Sequence, residues 1–465
     1  MKVKSRERKI YNFLFLATLI FFIIKGVFYL LFIPPWEAPD EPGHFSYVRY
    51  LFINKSIPEK STYIYDYAIN ESFFSQKKIL DNFSNTRSEV EKKELFNRNT
   101  YIPNFLAPNI AASPPLYYIY LLPFYIASLS LSSVWTVLLM RVGSLVLIIV
   151  SVVIVYKIFQ LIFPKQKSAP LLGMFIMTLQ PMFIFMSSVI NSDSMVFLFF
   201  QLFLLLSIKI TIKKEYRNMK YLLLLGLVTG LSSLVKPQLL MLFPLYLYIC
   251  ITSIKPNCRD YFILVISGAL LPILWYVPKV ISQGLSYFSY AMVKTNDTVM
   301  PFWHYPYEFL IQKQPIGIFM SFWGNFGWLD VPMPKWIYVL VVIITVIPLI
   351  KLYSSPLKSV ILQKGSVLIL STSVIFTLVI FIYDFMTFYK TQGFAIQGRY
   401  LLPVFPAIII LILKGCYLFK TKVTRILLIY LIGVLLFIQI QMYVSISQHY
   451  YKGYYLLSPI FGLYK

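Results

Sequence analysis

Charged side chains are scarce in this chain of 465 residues, at 13% of the total, and acidic ones are the scarcest. Eighteen Asp and Glu stand against 42 Lys and Arg, while 58% of the residues are hydrophobic. A mean hydropathy of +0.71 excludes an ordinary soluble globular protein. Repeated apolar stretches of about 20 residues are long enough to cross a bilayer as helices, and the alternating pattern of a membrane β-barrel is missing. The sequence therefore predicts an all-α polytopic membrane protein.

Cysteine is almost missing as well. The chain has three cysteines and three histidines, and neither set shows the close spacing of zinc ligands. The cysteines lie beside predicted cytoplasmic ends of helices, where thiols stay reduced, so no disulfide framework is expected. The sequence thus predicts neither a disulfide-rich fold nor a structural metal site. The residues concerned are Cys250, Cys258, Cys416, His44, His304 and His449.

Basic residues are the abundant charge, and a net charge of +24 would suit a nucleic-acid partner if they shared one surface. They fall instead into clusters beside apolar stretches, and all clusters lie on one side if the N-terminus is cytoplasmic and eleven stretches cross. That sorting follows the positive-inside rule, so no nucleic acid is expected as a partner. We expect a multi-pass protein of the cell (plasma) membrane. The clusters lie at residues 2–9, 157–167, 209–220, 255–259, 351–358 and 414–425.

About eleven transmembrane helices are predicted from the apolar stretches. The first is too long for the core of a cleavable signal peptide and no small-residue cleavage site follows it, so it is expected to remain as a signal anchor. The stretch Leu116–Leu131 would reverse the side of every later loop if it crossed, and it is therefore predicted to be an interfacial or re-entrant helix. The predicted spans are residues 10–33, 136–160, 169–190, 194–212, 220–236, 238–254, 260–280, 336–353, 361–384, 400–416 and 423–446.

Two long external loops interrupt these spans, and no separate soluble domain or repeat is visible, so residues 1–465 are predicted to form a single membrane domain. The first loop, residues 34–135, is far longer than an ordinary connection. Its many aromatic residues favour interfacial helices packed onto the membrane surface over disorder. The second loop covers residues 281–335.

The first loop begins with two adjacent carboxylates, Asp40 and Glu41, where the first span has just left the membrane. Prolines at 39 and 42 disfavour helical geometry just before them, while Pro42 suits a first helical turn, so a short helix is predicted from Pro42 through Tyr50. A helix N-terminus favours ionised acids. The pair is therefore a candidate catalytic site, and the alternative is that both acids only cap the helix.

Further polar residues gather on the external side once this topology is imposed, and ionisable groups at membrane depth usually face a cavity. Two cations beside proline-broken helices, Lys236 and Arg399, suit a phosphate near the membrane surface. The alternative is that Lys236 snorkels to the interface and Arg399 pairs with an acid. The two tryptophans of the 321–332 run either face substrate or belong to the interfacial belt. The candidate substrate-binding residues are His44, Asn191, Asp193, Lys236, Trp323, Asn325, Asp330, Gln397, Arg399 and Tyr400.

Four separated motifs in the chain resemble a widespread bacterial family of predicted membrane proteins. They are Pro-Asp-Glu-Pro-Gly-His-Phe at 39–45, Ser-Pro-Pro-Leu-Tyr-Tyr at 113–118, Trp-Gly-Asn-Phe-Gly-Trp-Leu-Asp-Val-Pro from 323, and Gln-Gly-Arg-Tyr-Leu-Leu-Pro at 397–403. That family is similar to the GT-C superfamily of polyprenyl-phosphate-dependent glycosyltransferases, relatives of protein O-mannosyltransferases and aminoarabinose transferases of lipid A. Where relatives often carry a histidine before Pro-Pro-Leu, this chain has Ser113, and no role is assigned there.

What the resemblance implies is a GT-C-like fold and an inverting transfer of a sugar from a polyprenyl-phosphate-linked donor to an envelope glycan or other cell-surface acceptor on the outer leaflet. The acidic position of the superfamily matches Asp40 and Glu41. We expect Asp40 to be the catalytic base, with Glu41 as the close alternative, since adjacent helix residues do not face one way. Arg399 and Lys236 would stabilise the leaving phosphate.

Other functions remain open beside this one. A transporter or flippase for lipid-linked saccharides would also need a cationic cavity, although no inverted repeat is visible, and a non-catalytic subunit of a polysaccharide assembly machine is a third candidate. External carboxylates at the start of a long loop favour the enzyme. No cofactor is required by the residue spacing, and a divalent cation bridging Asp40 or Glu41 and Asp193 to phosphate is the alternative. The expected partners are the lipid-linked donor, membrane lipids and a glycan or glycopolymer acceptor.

Overall fold

Helices make up most of the computed structural model, which describes residues 2–59, 108–131, 133–213, 216–253, 258–284, 287, 303–354, 363–391 and 393–451. Two-residue strands and short 3-10 turns interrupt the helices. The predicted all-α class is confirmed. In chain order the elements are α1 (Lys2–Phe32), α2 (Glu41–Asn54), α3 (Pro108–Ala111), α4 (Leu116–Ala127), α5 (Ser133–Ile162), α6 (Ala169–Thr178), α7 (Pro181–Ser187), α8 (Asp193–Ile212), α9 (Met219–Ser233), a 3-10 turn (Pro237–Met241), α10 (Leu242–Ser253), α11 (Cys258–Gln283), α12 (His304–Ile311), α13 (Gln314–Trp323), β1 (Asn325–Phe326), β2 (Val331–Pro332), α14 (Lys335–Tyr353), α15 (Lys364–Thr391), a second 3-10 turn (Gly398–Val404), α16 (Phe405–Cys416) and α17 (Thr421–Tyr451).

Eight helical segments of the described residues are long and apolar enough to cross a membrane. A ninth crossing is formed if α6 and α7, bent by 68° at their junction, count as one span. The predicted spans 220–236 and 238–254 are shorter: α9 has 15 residues, about 22 Å at 1.5 Å per residue, and the second is split between a 3-10 turn and α10. The eight long segments are Lys9–Phe32, Val134–Ile162, Asp193–Ile212, Cys258–Gln283, Lys335–Tyr353, Gly365–Tyr389, Gly398–Cys416 and Thr421–Tyr451.

The count of eleven full spans is therefore not confirmed, although all eleven predicted segments are helical over most of their length. The prediction treated each apolar run as a straight helix. The chain instead breaks the third of these runs at Pro181 and separates the fifth from the sixth just before Pro237, while the tenth begins as a 3-10 turn that contains Pro403. Proline lacks the N–H that would continue a helix.

The segment expected to lie outside the membrane core, α4, has 12 residues and contains Pro123. At about 1.5 Å per residue it spans about 18 Å, too short for a hydrocarbon core of about 30 Å. Its buried tyrosines pack against α2 and α5. In the predicted external loops, residues 60–107 and 132 of the first and residues 285–286 and 288–302 of the second lie outside the described residues; the helices described within the first loop are α2, α3, α4 and the start of α5.

Side chains from other helices hydrogen-bond the backbone at the bend between α6 and α7. Lys25 of α1 donates to the carbonyl of Thr178, and Gln439 of α17 donates to the carbonyl of Leu179 over 2.7 Å. The side chain of Gln180 accepts a hydrogen bond from the first turn of α7 and caps that helix. Because a free backbone group inside a bilayer is costly, these contacts allow a broken helix at this depth.

The Trp-Gly-Asn-Phe-Gly-Trp run forms the antiparallel pair β1 and β2 at the end of α13. The indole of Trp328 donates to the carbonyl of Trp36 over 3.0 Å. Tyr338 of α14 donates to the carbonyl of Gly324 over 2.9 Å. The hairpin thus connects the segment between α13 and α14 to the turn that follows α1, close to Asp40 in the chain.

Candidate functional site

Two ion pairs lie next to each other at one end of the helix bundle. Arg399 Nη2 donates to Asp40 Oδ2 over 2.6 Å, and Lys236 Nζ lies 2.5 Å from Asp193 Oδ1. The ring of Tyr400 lies between the cations, with its centroid 5.6 Å from Lys236 Nζ and 5.2 Å from Arg399 Cζ. Four segments that are distant in sequence therefore converge here: the turn before α2, the start of α8, the residue before the first 3-10 turn, and the second 3-10 turn. Arg399 thus pairs with an acid, Asp40, as one of the alternatives in the sequence analysis expected.

The 3-10 turn Gly398–Val404 places Arg399 in this cluster. Its first residue packs directly on the backbone of α13, and a Cβ at Gly398 would collide with backbone atoms of Ile318 and Phe322. The N–H of Gly398 donates to Ser321 Oγ over 2.8 Å. Glycine is thus required by this close approach rather than by its backbone angles.

A buried carboxylate, Asp384 of α15, fixes the chain just before that turn. It accepts hydrogen bonds from the N–H groups of Ala395 over 2.6 Å and Ile396 over 2.8 Å, and from the hydroxyl of Tyr305 over 2.8 Å. Sequence reasoning missed this residue. The signal was present, because Asp384 is a carboxylate at the end of a predicted apolar span, where a charge is costly unless it has a function or partners.

Asp40 is the N-cap residue of α2, and the predicted helix start is confirmed. It has a left-handed backbone, φ 65°, and makes no side-chain capping hydrogen bond, so capping does not account for its presence. Its side chain is 35% exposed. Burial opposes ionisation of Asp40, but the charge and hydrogen bond of Arg399, together with the charge of Lys236, outweigh burial and lower its pKa below the usual value. Asp40 is therefore an ionised, accessible carboxylate.

Glu41, its neighbour, points the other way and is fully enclosed by a salt bridge with Arg141 of α5. Both carboxylate oxygens accept from the guanidinium, Oε1 from Nε and Oε2 from Nη2, each over 2.7 Å. Oε1 also accepts from the N–H of Ile190 and Oε2 from the N–H of Trp36, each over 3.0 Å. A carboxylate has about four acceptor sites, and all four are occupied here. Glu41 therefore has no free lone pair for a substrate proton.

Arg141 is saturated in the same way. Besides its two bonds to Glu41 it donates to the carbonyls of Leu30 over 2.9 Å, Ile33 over 2.6 Å and Pro34 over 3.0 Å. These carbonyls belong to the end of α1, where a helix leaves acceptors without partners. The sequence analysis did not single out Arg141, although a lone arginine inside the predicted span 136–160 was a visible signal.

Unused hydrogen-bonding capacity is found instead around the first two ion pairs. Arg399 Nε, Asp193 Oδ2 and Gln397 Oε1 are buried and have no hydrogen-bond partner among the described residues. The other nitrogens of the Arg399 guanidinium contact Asp40, the carbonyl of Pro39 over 3.4 Å and the hydroxyl of Tyr400 over 3.4 Å. Because buried polar groups in proteins are almost always paired, this pattern is typical of a site that receives a ligand.

Two cavities adjoin these groups and share Gln238 and Tyr400 as lining residues. The first is small, with mostly apolar walls from α5, α7, α8 and the 3-10 turn and with Asp193 and Arg399 at its polar side. The second is also small and is lined by Lys236 and Asp384 among others. The cluster therefore has a largely apolar chamber on one side and a more polar chamber on the other.

His44 lies beside the cluster but is buried. Its Nδ1 is 3.0 Å from the hydroxyl of Tyr118, and the two rings stack. Burial, which the charges of nearby Asp40 and Asp193 only partly offset, lowers the pKa of His44 to about 4. The ring is therefore neutral near pH 7, and its contacts give it a place in the packing of α2 against α4.

Asn191 is buried as well and orients the start of α8, because its Oδ1 accepts from the N–H of Asp193 over 2.8 Å. Both residues follow Ile190, whose N–H is held by Glu41. The Asn-Ser-Asp motif is thus a turn whose first residue orients the backbone and whose last residue forms an ion pair with Lys236.

The 321–332 motif contributes less directly to the cluster. Trp323 is buried and packs edge-on against Phe405, and Asn325 Nδ2 donates to the carbonyl of Leu329 over 2.8 Å. Asp330 lies 3.7 Å from Nε2 of His449 on α17. None of the three predicted substrate contacts lines either cavity described above.

No group of three His, Cys, Asp or Glu side chains in the described part of the chain lies close enough together to hold a metal ion. Of the residues in the candidate bridging site, Asp40 contacts Arg399, Glu41 contacts Arg141 and Asp193 contacts Lys236.

A polytopic helical protein with a paired-charge site at one end of its bundle is the class defined by these features. The chain belongs to the family described as predicted membrane protein (DUF2142), whose model matches residues 21–410. No curated protein sequence matches it.

Several solved structures are similar to this chain. ArnT from Cupriavidus metallidurans in the apo state has a TM-score of 0.49 and 11% identity, over 89% of this chain and 61% of ArnT. The structure of the same protein bound to undecaprenyl phosphate has a TM-score of 0.47 and 10% identity, over 96% of this chain and 75% of ArnT. The apo oligosaccharyltransferase of Archaeoglobus fulgidus has a TM-score of 0.45 and 12% identity, over 94% of this chain and 56% of the oligosaccharyltransferase. The chain thus corresponds to less than two thirds of the first and third of these structures, and no residue role is transferred from them.

Proposed function

We propose that this protein is a membrane glycosyltransferase that moves a sugar from a polyprenyl-phosphate-linked donor to an envelope glycan or other cell-surface acceptor, with inversion at the anomeric carbon. The observation that carries the proposal is the difference between the two adjacent acids. Glu41 has all its acceptor sites filled by the protein. Asp40, in contrast, is ionised, 35% exposed and paired with Arg399 beside a cavity. The motif resemblance to polyprenyl-phosphate-dependent glycosyltransferases points to the same chemistry.

The phosphate of the donor is assigned to the cations of the cluster. Arg399 keeps one buried donor, Nε, without a partner, and the ammonium of Lys236 lies near the ring of Tyr400, which Arg399 also contacts. A guanidinium binds phosphate oxygens through oriented N–H groups, whereas an ammonium acts as a point charge. Together they would stabilise the negative charge that develops on the leaving phosphate, so a strong general acid is unnecessary. The apolar walls of the first cavity suit the lipid side of such a donor.

Asp40 is assigned the role of general base. In the proposed step the acceptor hydroxyl gives its proton to the Asp40 carboxylate, and its oxygen forms a bond to the anomeric carbon. The bond between that carbon and the phosphate oxygen breaks, and its electron pair leaves with the polyprenyl phosphate. A single displacement of this kind inverts the anomeric configuration. No cofactor takes part, and a divalent cation that bridges Asp40 and Asp193 to phosphate is the alternative.

The site is proposed to face the outside of the cell. Single cysteines tested with a membrane-impermeant thiol reagent should be labelled in intact cells at Lys55, after α2, and not at Lys165, after α5. Both positions are exposed at opposite ends of the bundle. The background carries Cys258→Ser, because Cys258 is the exposed native cysteine and the other two are buried. The reverse labelling pattern would place the site on the cytoplasmic side.

The enzymatic proposal is tested with the purified full-length protein in lipid nanodiscs. A polyprenyl-phosphate-linked sugar is supplied with candidate acceptor glycans, and release of polyprenyl phosphate is measured with and without a chelator. Wild-type protein should release it in an acceptor-dependent way, and insensitivity to the chelator would exclude the bridging cation. Glu308→Gln, which removes a carboxylate of α12 outside the cluster, serves as the control. Movement of intact donor across the bilayer without release would favour a transporter.

A further inference from the structure

The Glu41–Arg141 pair touches neither cavity, yet it connects every segment that carries an acid of the site. Glu41 directly follows Asp40 in the chain, and it accepts from Trp36 in the turn after α1 and from Ile190 at the end of the α7 segment. Asp193 follows Ile190 by three residues. The two acids of the cluster are therefore attached, through short stretches of backbone, to the two oxygens of one buried carboxylate.

Arg141 adds a third attachment. Its five N–H donors bind the Glu41 carboxylate and three carbonyls at the end of α1. An arginine has five donors in a rigid planar fork, so every donor is used and the fork has one orientation. The end of α1, the start of α2 and the Ile190 turn are consequently held in fixed positions relative to α5.

We propose that Glu41 and Arg141 form a positioning unit, which sets the spacing between the Asp40–Arg399 pair and the Asp193–Lys236 pair through the backbone. The unit makes no contact with substrate, and its effect on donor binding rests on the function proposed above. Its effect on the orientation of α2 is independent of that function. Misplacement of reacting groups by about 1 Å is enough to cost about a hundredfold in rate, so a unit that fixes this spacing has large leverage.

The test uses Arg141→Lys, which keeps the charge and removes the fork, in the full-length protein. Arg217→Lys is the matched control, because Arg217 also donates to helix-end carbonyls, those of Ile210 and Thr211, far from the site. Two readouts are taken: affinity for polyprenyl phosphate, and the ligand-free distance between nitroxides at exposed positions Lys55 and Lys335 in the Cys258→Ser background. The first label reports on α2 and the second on α14.

Arg141→Lys should shift or broaden the distance distribution and weaken polyprenyl phosphate binding by roughly tenfold or more, while Arg217→Lys changes neither. If Arg141→Lys does not fold, Glu41→Asp, which withdraws the carboxylate by one methylene, replaces it with the same expectation. An unchanged distance distribution in the folded variant overturns the inference. A shifted distribution in a protein whose wild type binds no polyprenyl phosphate supports the positioning unit and contradicts the proposed function, so the two failures are distinguishable.

Discussion

Asp40 and Glu41 are neighbours in sequence and opposites in environment. Both contact an arginine, but Glu41 and Arg141 are buried to 0% exposure with every donor and acceptor site filled. Asp40 is 35% exposed, and its partner Arg399 retains an unpaired buried Nε. The saturated pair connects secondary structure elements, and the unsaturated pair borders a cavity.

The difference shows how to separate structural from chemical charges in a membrane protein. Charge and burial alone do not distinguish the two arginines, since both are nearly inaccessible. The number of unfilled hydrogen-bonding sites does, because a group that must bind a ligand cannot already have all its sites occupied by protein. Replacing one residue of each ion pair at a time tests this distinction.

The largest effect on stability is expected from Glu41→Gln. This change leaves the Arg141 charge buried without a counter-charge, and breaking a buried ion pair in this way typically costs about 3–5 kcal/mol. Thermal or denaturant unfolding of the purified protein in detergent measures it, with Asp40→Asn as the neighbouring control. Equal stability losses in the two variants would contradict the contrast between saturated and unsaturated pairs.

Asp40→Asn should instead act on chemistry. The amide cannot accept the acceptor proton, so turnover should fall by roughly 100-fold or more, the usual contribution of a general base, while the protein still folds and binds donor. Release of polyprenyl phosphate from the lipid-linked sugar is the measurement. Near-normal transfer by Asp40→Asn would exclude this base and reopen the transporter alternative.

Donor binding should separate the two cations of the cluster. Arg399→Gln removes the oriented fork and should weaken binding of polyprenyl phosphate by about tenfold, and Lys236→Gln should have a smaller effect because a point charge makes less oriented contact. Binding to purified protein is measured by titration, with Lys335→Gln as a control for an exposed cation on α14. If both site variants bind as wild type does, the phosphate lies elsewhere.

The smallest effect is expected from pH. Asp40 has a pKa below its usual value and His44 a pKa of about 4. Asp40 therefore stays a carboxylate, and His44 stays neutral, until the pH falls through those lowered values. Turnover should be nearly constant between about pH 5 and pH 7, and any loss should begin only below that range. A tenfold fall within the range would show that another titrating group controls the reaction.

Part of this arrangement could be predicted from the sequence. Prolines at 39 and 42 define the start of α2, and the sorting of basic clusters fixes which helix ends lie on one side. Those two facts are enough to bring Asp40, Asp193, Lys236 and Arg399 to one end of the bundle. The bends at proline, and with them the number of full spans, depend on side chains such as Lys25 and Gln439 that satisfy a broken backbone from other helices.

The division of labour between the two acids could not be predicted. It depends on the position of Arg141 along α5, because a shift of one residue along a helix turns a side chain by about 100°. Trp323, Asn325 and Asp330 were expected to bind substrate because they lie in an external aromatic motif. Within the protein, Trp323 contacts Phe405, Asn325 contacts Leu329 and Asp330 lies near His449. Their role in binding substrate stays a prediction, because motif membership does not indicate which way a side chain faces.

The amino group of Lys25 holds the bend between α6 and α7 by donating to the Thr178 carbonyl. Straightening that span would break this contact, and Pro181, which has no N–H, would still leave a helical carbonyl without its backbone donor. The bend is therefore costly to straighten, and it fixes the direction in which α7 leaves α6. Phe183, Met186 and Ser187 of α7 form one wall of the apolar cavity. In the function proposed above, the lipid chain of the donor would contact this wall next to its phosphate, so the bend would determine the shape of the lipid-binding surface there.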